Sequence, residues 1–210
     1  MQAKIKPVAE IHILVGGPYV KDGEEHRYGH TALRVKFKGS DLTYDFGRYG
    51  ATRGTFGESG DGILRVWTDF DAYIKGENAL HRTTMGFVYY VFDHQADAAN
   101  GFFDEKISTA TPLPRKNRAS MKTYKLAMDY HALGPNCTTL SVEGARAAIK
   151  NIDRGSDTYN KPEDVLDWKE RLALSANGGS KRLFLPANLQ KFLAAEKAVR
   201  VDRTDEYGGS

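Results

Sequence analysis

The feature that most limits the fold is the order in which extended and helical patterns run along the chain. Up to about residue 92 the sequence reads as strands separated by glycine-rich turns, and beyond Asp93 it reads as helices. Strands and helices gathered in separate halves point to an α+β fold, because a doubly wound parallel sheet needs a helix between successive strands. In the first half, Val8–Val15 mixes apolar and polar residues as a strand does and stops at Gly16-Gly17-Pro18. A polar segment through Asp22-Gly23-Glu24-Glu25 follows. His30–Lys38 then alternates, with Leu33, Val35 and Phe37 on one face and Arg34, Lys36 and Lys38 on the other. Gly39-Ser40 supplies a hairpin turn, and Leu42–Phe46 is the return strand.

The stretch from Gly47 to Gly62 also holds Gly50, Gly54, Gly57 and Gly60 and reads as a long functional loop. Ile63–Trp67 is a strand, Thr68 and Asp69 cap a short helix over Phe70–Ile74, and Thr83–Phe92 is a strand apolar on both faces. The second half predicts helices near 95–107, 117–131, 137–150, 162–174 and 186–197, with Arg182–Leu185 as a last strand before Pro186. A chain of 210 residues that is 40% hydrophobic can build one core. The expectation is one domain over 1–210, with 151–210 a helical extension packed on that core.

The formal net charge of +3 is spread out, and the one dense basic cluster is Arg115-Lys116-Asn117-Arg118. Without a concentrated patch or a nucleic-acid motif, nucleic acid is not an expected partner. No apolar run approaches the ~20 residues of a spanning helix, so no membrane span is expected. Met1–Pro7 carries charge but no apolar region behind it, which predicts a protein made in the cytoplasm without a Sec signal.

There is one cysteine, so neither an intramolecular disulfide nor a thiolate zinc site is available. Its surroundings are informative. Gly134 and Pro135 break the chain, Asn136 is a good N-cap, and Leu140, Gly144, Ala145, Ala148 and Ile149 share one helical face after Cys137. The first turn of a helix favours negative charge, which lowers a thiol toward the thiolate, and its N–H groups can hold an oxyanion. The alternative is a small buried hydrophobe.

A thiolate needs a histidine partner. Of the six histidines, His12 sits inside a strand, His81 and His94 border elements, and His131 closes the segment before the cysteine. His30 follows Gly29 at the first position of a strand, beside a loop mouth. Asp45 is the carboxylate of the return strand and a candidate third member. A turn at Gly39-Ser40 sets Asp45 opposite Arg34, so reaching His30 requires a bulge, and a cross-strand partner for Arg34 is the competing role.

Other constellations are incomplete. His26 and His30 are four apart beside Glu24 and Glu25, but Gly23 and Gly29 argue against the helix such a metal site needs. Asp69-Phe70-Asp71 and Asp153–Asp157 lack calcium-loop spacing, and Gly54–Gly62 lacks the Gly-Lys-Ser/Thr of a phosphate loop. Ser120 and Ser141 lack the glycines of a nucleophile elbow. No metal and no cofactor are expected.

Three segments together, Gly29-His30-Thr31-Ala32-Leu33-Arg34-Val35, Thr43-Tyr44-Asp45-Phe46-Gly47 and Asn136-Cys137-Thr138-Thr139, resemble the NlpC/P60-type papain-like cysteine hydrolases. The order is the permuted one, with histidine before cysteine. The resemblance implies an antiparallel sheet packed on the cysteine helix, Cys137 as nucleophile, His30 as base, Asp45 orienting it, and Asn136 at the cap and oxyanion position. It also implies cleavage of a peptide or amide bond, in bacterial members commonly in peptidoglycan. The helical part from about 151 onward departs from the pattern. A mildly basic wall hydrolase without a Sec signal resembles toxins delivered by the type VI secretion system. That likeness implies action in the periplasm of a target cell, with an immunity protein or secretion carrier as partners. Two other readings are a cytoplasmic deamidase, acyltransferase or protease acting on a protein, and a non-catalytic binding module.

Overall fold

The computed structural model describes residues 6–21, 24–26, 28–53, 59–176 and 182–208. The first half carries β1 (Ala9–Gly16), a small hairpin of β2 (Tyr19–Lys21) and β3 (Glu24–His26), and the long pair β4 (His30–Phe37) and β5 (Ser40–Gly47). Next come β6 (Thr52–Arg53), β7 (Ser59–Gly60), β8 (Ile63–Trp67), α1 (Phe70–Asn78) and β9 (Thr84–Val91). The second half holds α2 (Asp93–Ser108), β10 (Thr111–Pro112), β11 (Met121–Lys125), β12 (Tyr130–His131) and α3 (Cys137–Ala148). It ends with α4 (Trp168–Ala176), α5 (Pro186–Ala194) and β13 (Arg203–Tyr207).

The fold is mixed α/β, built on an eight-stranded sheet in the order β10-β11-β8-β5-β4-β1-β9-β13. Every neighbouring pair in that sheet is antiparallel. Alternation along the strands sends Ile11, Ile13, Val15, Leu33, Val35, Tyr44 and Phe46 into the main core, which α2, α3 and α5 close with Phe103, Leu140, Ala145 and Phe192. The opposite face carries Leu14, Ala32 and Trp67, covered by Phe70 and Tyr73 of α1. Asp69 caps α1 by accepting the Ala72 N–H at 3.0 Å. Helix α3 lies close against the sheet at Gly144, where a Cβ would stand 2.6 Å from the Phe103 ring and 3.0 Å from Leu33.

The hairpin turn falls at Lys38-Gly39, one residue earlier than the sequence suggests. Both residues have positive φ, 48° and 77°, the backbone signature of a tight two-residue hairpin turn. Phe37 therefore pairs with Ser40 and Arg34 with Thr43, not with Asp45. Arg34 takes Asp41 instead, through Nε–Oδ1 at 2.7 Å and Nη2–Oδ2 at 2.5 Å. The corrected register moves Asp45 two places toward His30 on the same face, and no bulge is needed.

Three expected elements differ. The segment 117–131 is not a helix: Met121 and Thr123 turn inward between exposed Lys122 and half-buried Tyr124, and β11 pairs with β8. Helical spacing there loses to a ladder partner in the sheet. Arg182–Leu185 makes no strand. Phe184 and Leu185 are buried with Leu166 and Leu174 instead. The region 162–174 divides into a 3-10 turn at Pro162–Asp164 and α4. The last strand is β13, on the sheet edge beside β9. Within the glycine-rich stretch, β6 and β7 join β12 in a small three-stranded sheet, while 54–58 lie outside the described residues. Among the described residues no helix is long and apolar enough to cross a membrane.

Candidate active site

Cys137 is the first residue of α3, and Asn136 builds the helix start around it. The Asn136 Oδ1 accepts the Thr139 N–H at 3.1 Å, and the Thr139 hydroxyl accepts the Asn136 N–H at 2.9 Å. Asn136 Nδ2 donates to the carbonyls of Ala132 at 2.8 Å and Phe184 at 3.0 Å. Those bonds commit the amide to capping and to tying two loops together. Asn136 is thus the cap, and the oxyanion share of its expected role does not fit. The backbone N–H of Cys137, which has no acceptor one turn back within the helix, is the donor left for an oxyanion.

His30 begins β4 and pairs with Gly16 of β1. Asp45 lies in β5 opposite Arg65 of β8. The His30 Nε2–H donates to Asp45 Oδ1 at 2.7 Å. This leaves Nδ1 as the ring nitrogen available to a thiol; Cys137 lines the same cleft, and the charges of the two groups act on one another. The three residues chosen from the sequence therefore come together in one cleft, with Asp45 and His30 bonded directly. Linkage between the halves comes from Thr31 and Thr138, whose hydroxyls meet at 3.1 Å across the β4–α3 boundary.

The site is electrostatically tense. Burial opposes charge on all three groups, and each is held charged by its neighbours. At His30 burial works against the imidazolium, but the carboxylate of Asp45 and then the thiolate of Cys137 push its pKa up to about 10. At Cys137 burial raises the thiol. The His30 charge, the Thr31 backbone N–H and the Thr138 hydroxyl outweigh this and hold it below its ordinary value. Asp45 is also held low despite burial, first by His30, then by Arg65 and the Tyr49 hydroxyl.

Several members were not visible in the sequence. Tyr49 donates to Asp45 Oδ1 at 2.8 Å, and the Arg65 guanidinium lies 3.3 Å from the centre of the Tyr49 ring. Tyr130 of β12 lines the same cleft as Cys137 and packs against Phe46 at 5.6 Å. Tyr49 comes from the glycine-rich stretch, and Tyr130 from the segment read as helix. Neither carries a local sequence signal that sets it apart from the other tyrosines.

Three other histidines have contacts of their own, though His131 also lines the cleft that holds Cys137. His12 is buried and bonded to Glu10 at 2.7 Å, His131 Nδ1 accepts the Leu133 N–H at 3.1 Å, and His94 stacks on Phe92. The side chains of Glu24, Glu25 and His26 lie outside the described part, and no cluster of metal-ligating side chains occurs among the described residues. Cys137, His30 and Asp45 open on a cleft of about 870 Å³, walled by Tyr19, Tyr28, Tyr49, Trp67, Tyr73 and Tyr130, with Arg48, Arg65, Arg82 and Arg118 among its polar groups. That volume suits a peptide-sized ligand. Against known proteins the chain has no match: no family model, no curated protein and no solved structure is similar to it.

Proposed function

We propose that the chain is a cysteine hydrolase of the permuted NlpC/P60-type, papain-like kind, acting on a peptide or amide bond of bacterial peptidoglycan. The observation that carries this reading is the 2.7 Å bond from His30 to Asp45, in a cleft that also holds a helix-start thiol, Cys137. An antiparallel sheet packed on the cysteine helix agrees with it.

The chemistry follows from the geometry. The Cys137 thiolate attacks the carbonyl carbon, and the backbone N–H of Cys137 steadies the oxyanion. The C–N bond breaks as His30 passes its Nδ1 proton to the leaving amine. A water then gives one proton to His30 and its oxygen to the acyl carbon; the C–S bond breaks, which frees the acid and restores the Cys137 thiolate beside the imidazolium. Asp45 holds the ring and stabilises the imidazolium throughout. Delivery into the periplasm of a competitor by a type VI route, with an immunity protein and a carrier as partners, is the setting we attach to this activity.

Incubating purified protein with bacterial sacculi tests the reading. New muropeptide products are expected with the intact protein and none with Cys137→Ala or His30→Ala. Unchanged sacculi, alongside rapid alkylation of Cys137 by iodoacetamide at neutral pH, would move the substrate from the wall to an amide of a protein. A thiol that resists alkylation would sink the hydrolase itself.

A further inference from the structure

The densest basic run of the sequence, Arg115-Lys116-Asn117-Arg118, takes no part in the chemistry above, yet the fold brings it to the catalytic cleft. Three bonds fix it there. The Asn117 Oδ1 accepts the Thr123 N–H at 2.8 Å, the Thr123 hydroxyl donates to the Lys116 carbonyl at 3.1 Å, and Lys116 Nζ donates to the Tyr49 carbonyl at 3.1 Å. Thr123 is the register partner of Arg65, and Arg65 that of Asp45, so the run approaches the catalytic carboxylate from the β11 side. Arg118 lines the cleft directly.

Charge along the cleft does not balance. Arg82 is paired with Glu77 at 2.6 Å, and Arg65 stands opposite Asp45 and lies over the Tyr49 ring. Arg48 and Arg118 line the same cleft and are exposed, and neither side chain makes an ion pair or hydrogen bond among the described residues. Arg48 precedes Tyr49, so the Lys116 bond joins the basic run to the loop that carries Arg48. Of the carboxylates lining the cleft among the described residues, Glu170 remains, and it is engaged at the start of its own helix, where Oε2 accepts the Asp167 N–H at 2.8 Å. The surplus is positive and sits at the surface.

We propose that Arg48, Lys116 and Arg118 form a capture rim for an acidic peptide, a substrate that carries carboxylates outside the bond Cys137 attacks. Guanidinium groups hold carboxylates through paired N–H donors. Exposed cations at the edge of a cleft also draw an anionic chain toward it and speed encounter. A phosphate polymer is the poorer fit, because its closely spaced charges meet Glu77 and Glu170 in the same cleft. That the peptide is a substrate rests on the hydrolase reading; its binding to the rim does not.

The test is a calorimetric titration of the full chain carrying Cys137→Ala, at low salt, with N-acetyl-triglutamyl amide, its triglutaminyl counterpart and tripolyphosphate. The acidic peptide is expected to bind at least ~10-fold more tightly than the neutral one, and more tightly than tripolyphosphate. Arg48→Gln together with Arg118→Gln should cut that preference to below ~3-fold. Lys150→Gln together with Arg154→Gln removes equal charge from exposed positions beyond the C-terminal end of α3 and should leave the preference in place. Equal binding of the two peptides, no binding of the acidic one up to ~10 mM, or tighter binding of tripolyphosphate would each overturn the proposal. So would a preference that survives the rim variant, or one that the α3 variant also removes. Because the titrated protein has no thiol, a failure here leaves the sacculus assay standing, and inert sacculi leave the rim standing.

Discussion

At His30 a single buried carboxylate sets the working pH range. Below the raised His30 pKa of about 10 the imidazolium holds the proton that the leaving amine needs, and above the lowered Cys137 pKa the thiol is ionised. Hydrolysis is therefore expected to rise on the acid side as Cys137 ionises and to fall as pH passes about 10. Asp45→Asn removes the strongest stabiliser of the imidazolium. The alkaline limb should then move to lower pH by about 1 unit or more, a shift measured on the rate profile or by NMR titration of His30. An unmoved limb would mean that Asp45 does not hold the imidazolium. Cys137 and His30 were readable from sequence because each sits at the start of an element behind a helix cap or a glycine. Tyr49, Arg65 and Tyr130 were not, since they reach the site only through tertiary packing. Asp45 was readable as a residue but not in its register, because that depended on which two residues took positive φ.

At the scale of the element, α3 owes its start to Asn136. One side chain caps the helix and binds carbonyls from two other segments, so Asn136→Ala should cost about 2–3 kcal/mol, one cap and two buried acceptors left unpaired. Urea denaturation measures it; a loss within a few tenths would show that water replaces all three bonds. Capping of α1 by Asp69 and of α3 by Asn136 was legible because such caps are local. The segment 117–131 was misread for the converse reason. Its inward residues, Met121 and Thr123, declare a strand only once β8 is beside them. Strand β13, with Arg203, Asp205 and Glu206, has too many charges to announce itself, which suits a sheet edge that must not recruit another chain.

At the scale of the whole molecule, the sheet-and-helix contact makes thiol reactivity a property of the folded state. An ordinary buried cysteine reacts faster once its protein unfolds. Here the reverse is expected at mildly acidic pH, because unfolding returns Cys137 to an ordinary thiol, mostly protonated. Alkylation by iodoacetamide at mildly acidic pH should fall across the urea transition. A rise would show that the native thiol is shielded rather than activated. The mixed character of the fold was legible; a clean order of strands before helices was not, because β10, β11, β12 and β13 lie in the second half and three of them enter the main sheet.

The hydroxyl contact between Thr31 and Thr138 joins positions 107 apart in the chain. During synthesis the histidine leaves the ribosome long before the cysteine does, and the strands must wait for their helix. A nascent or truncated chain thus carries a benign thiol, and a cell making the protein meets its reactivity only once the last third has docked.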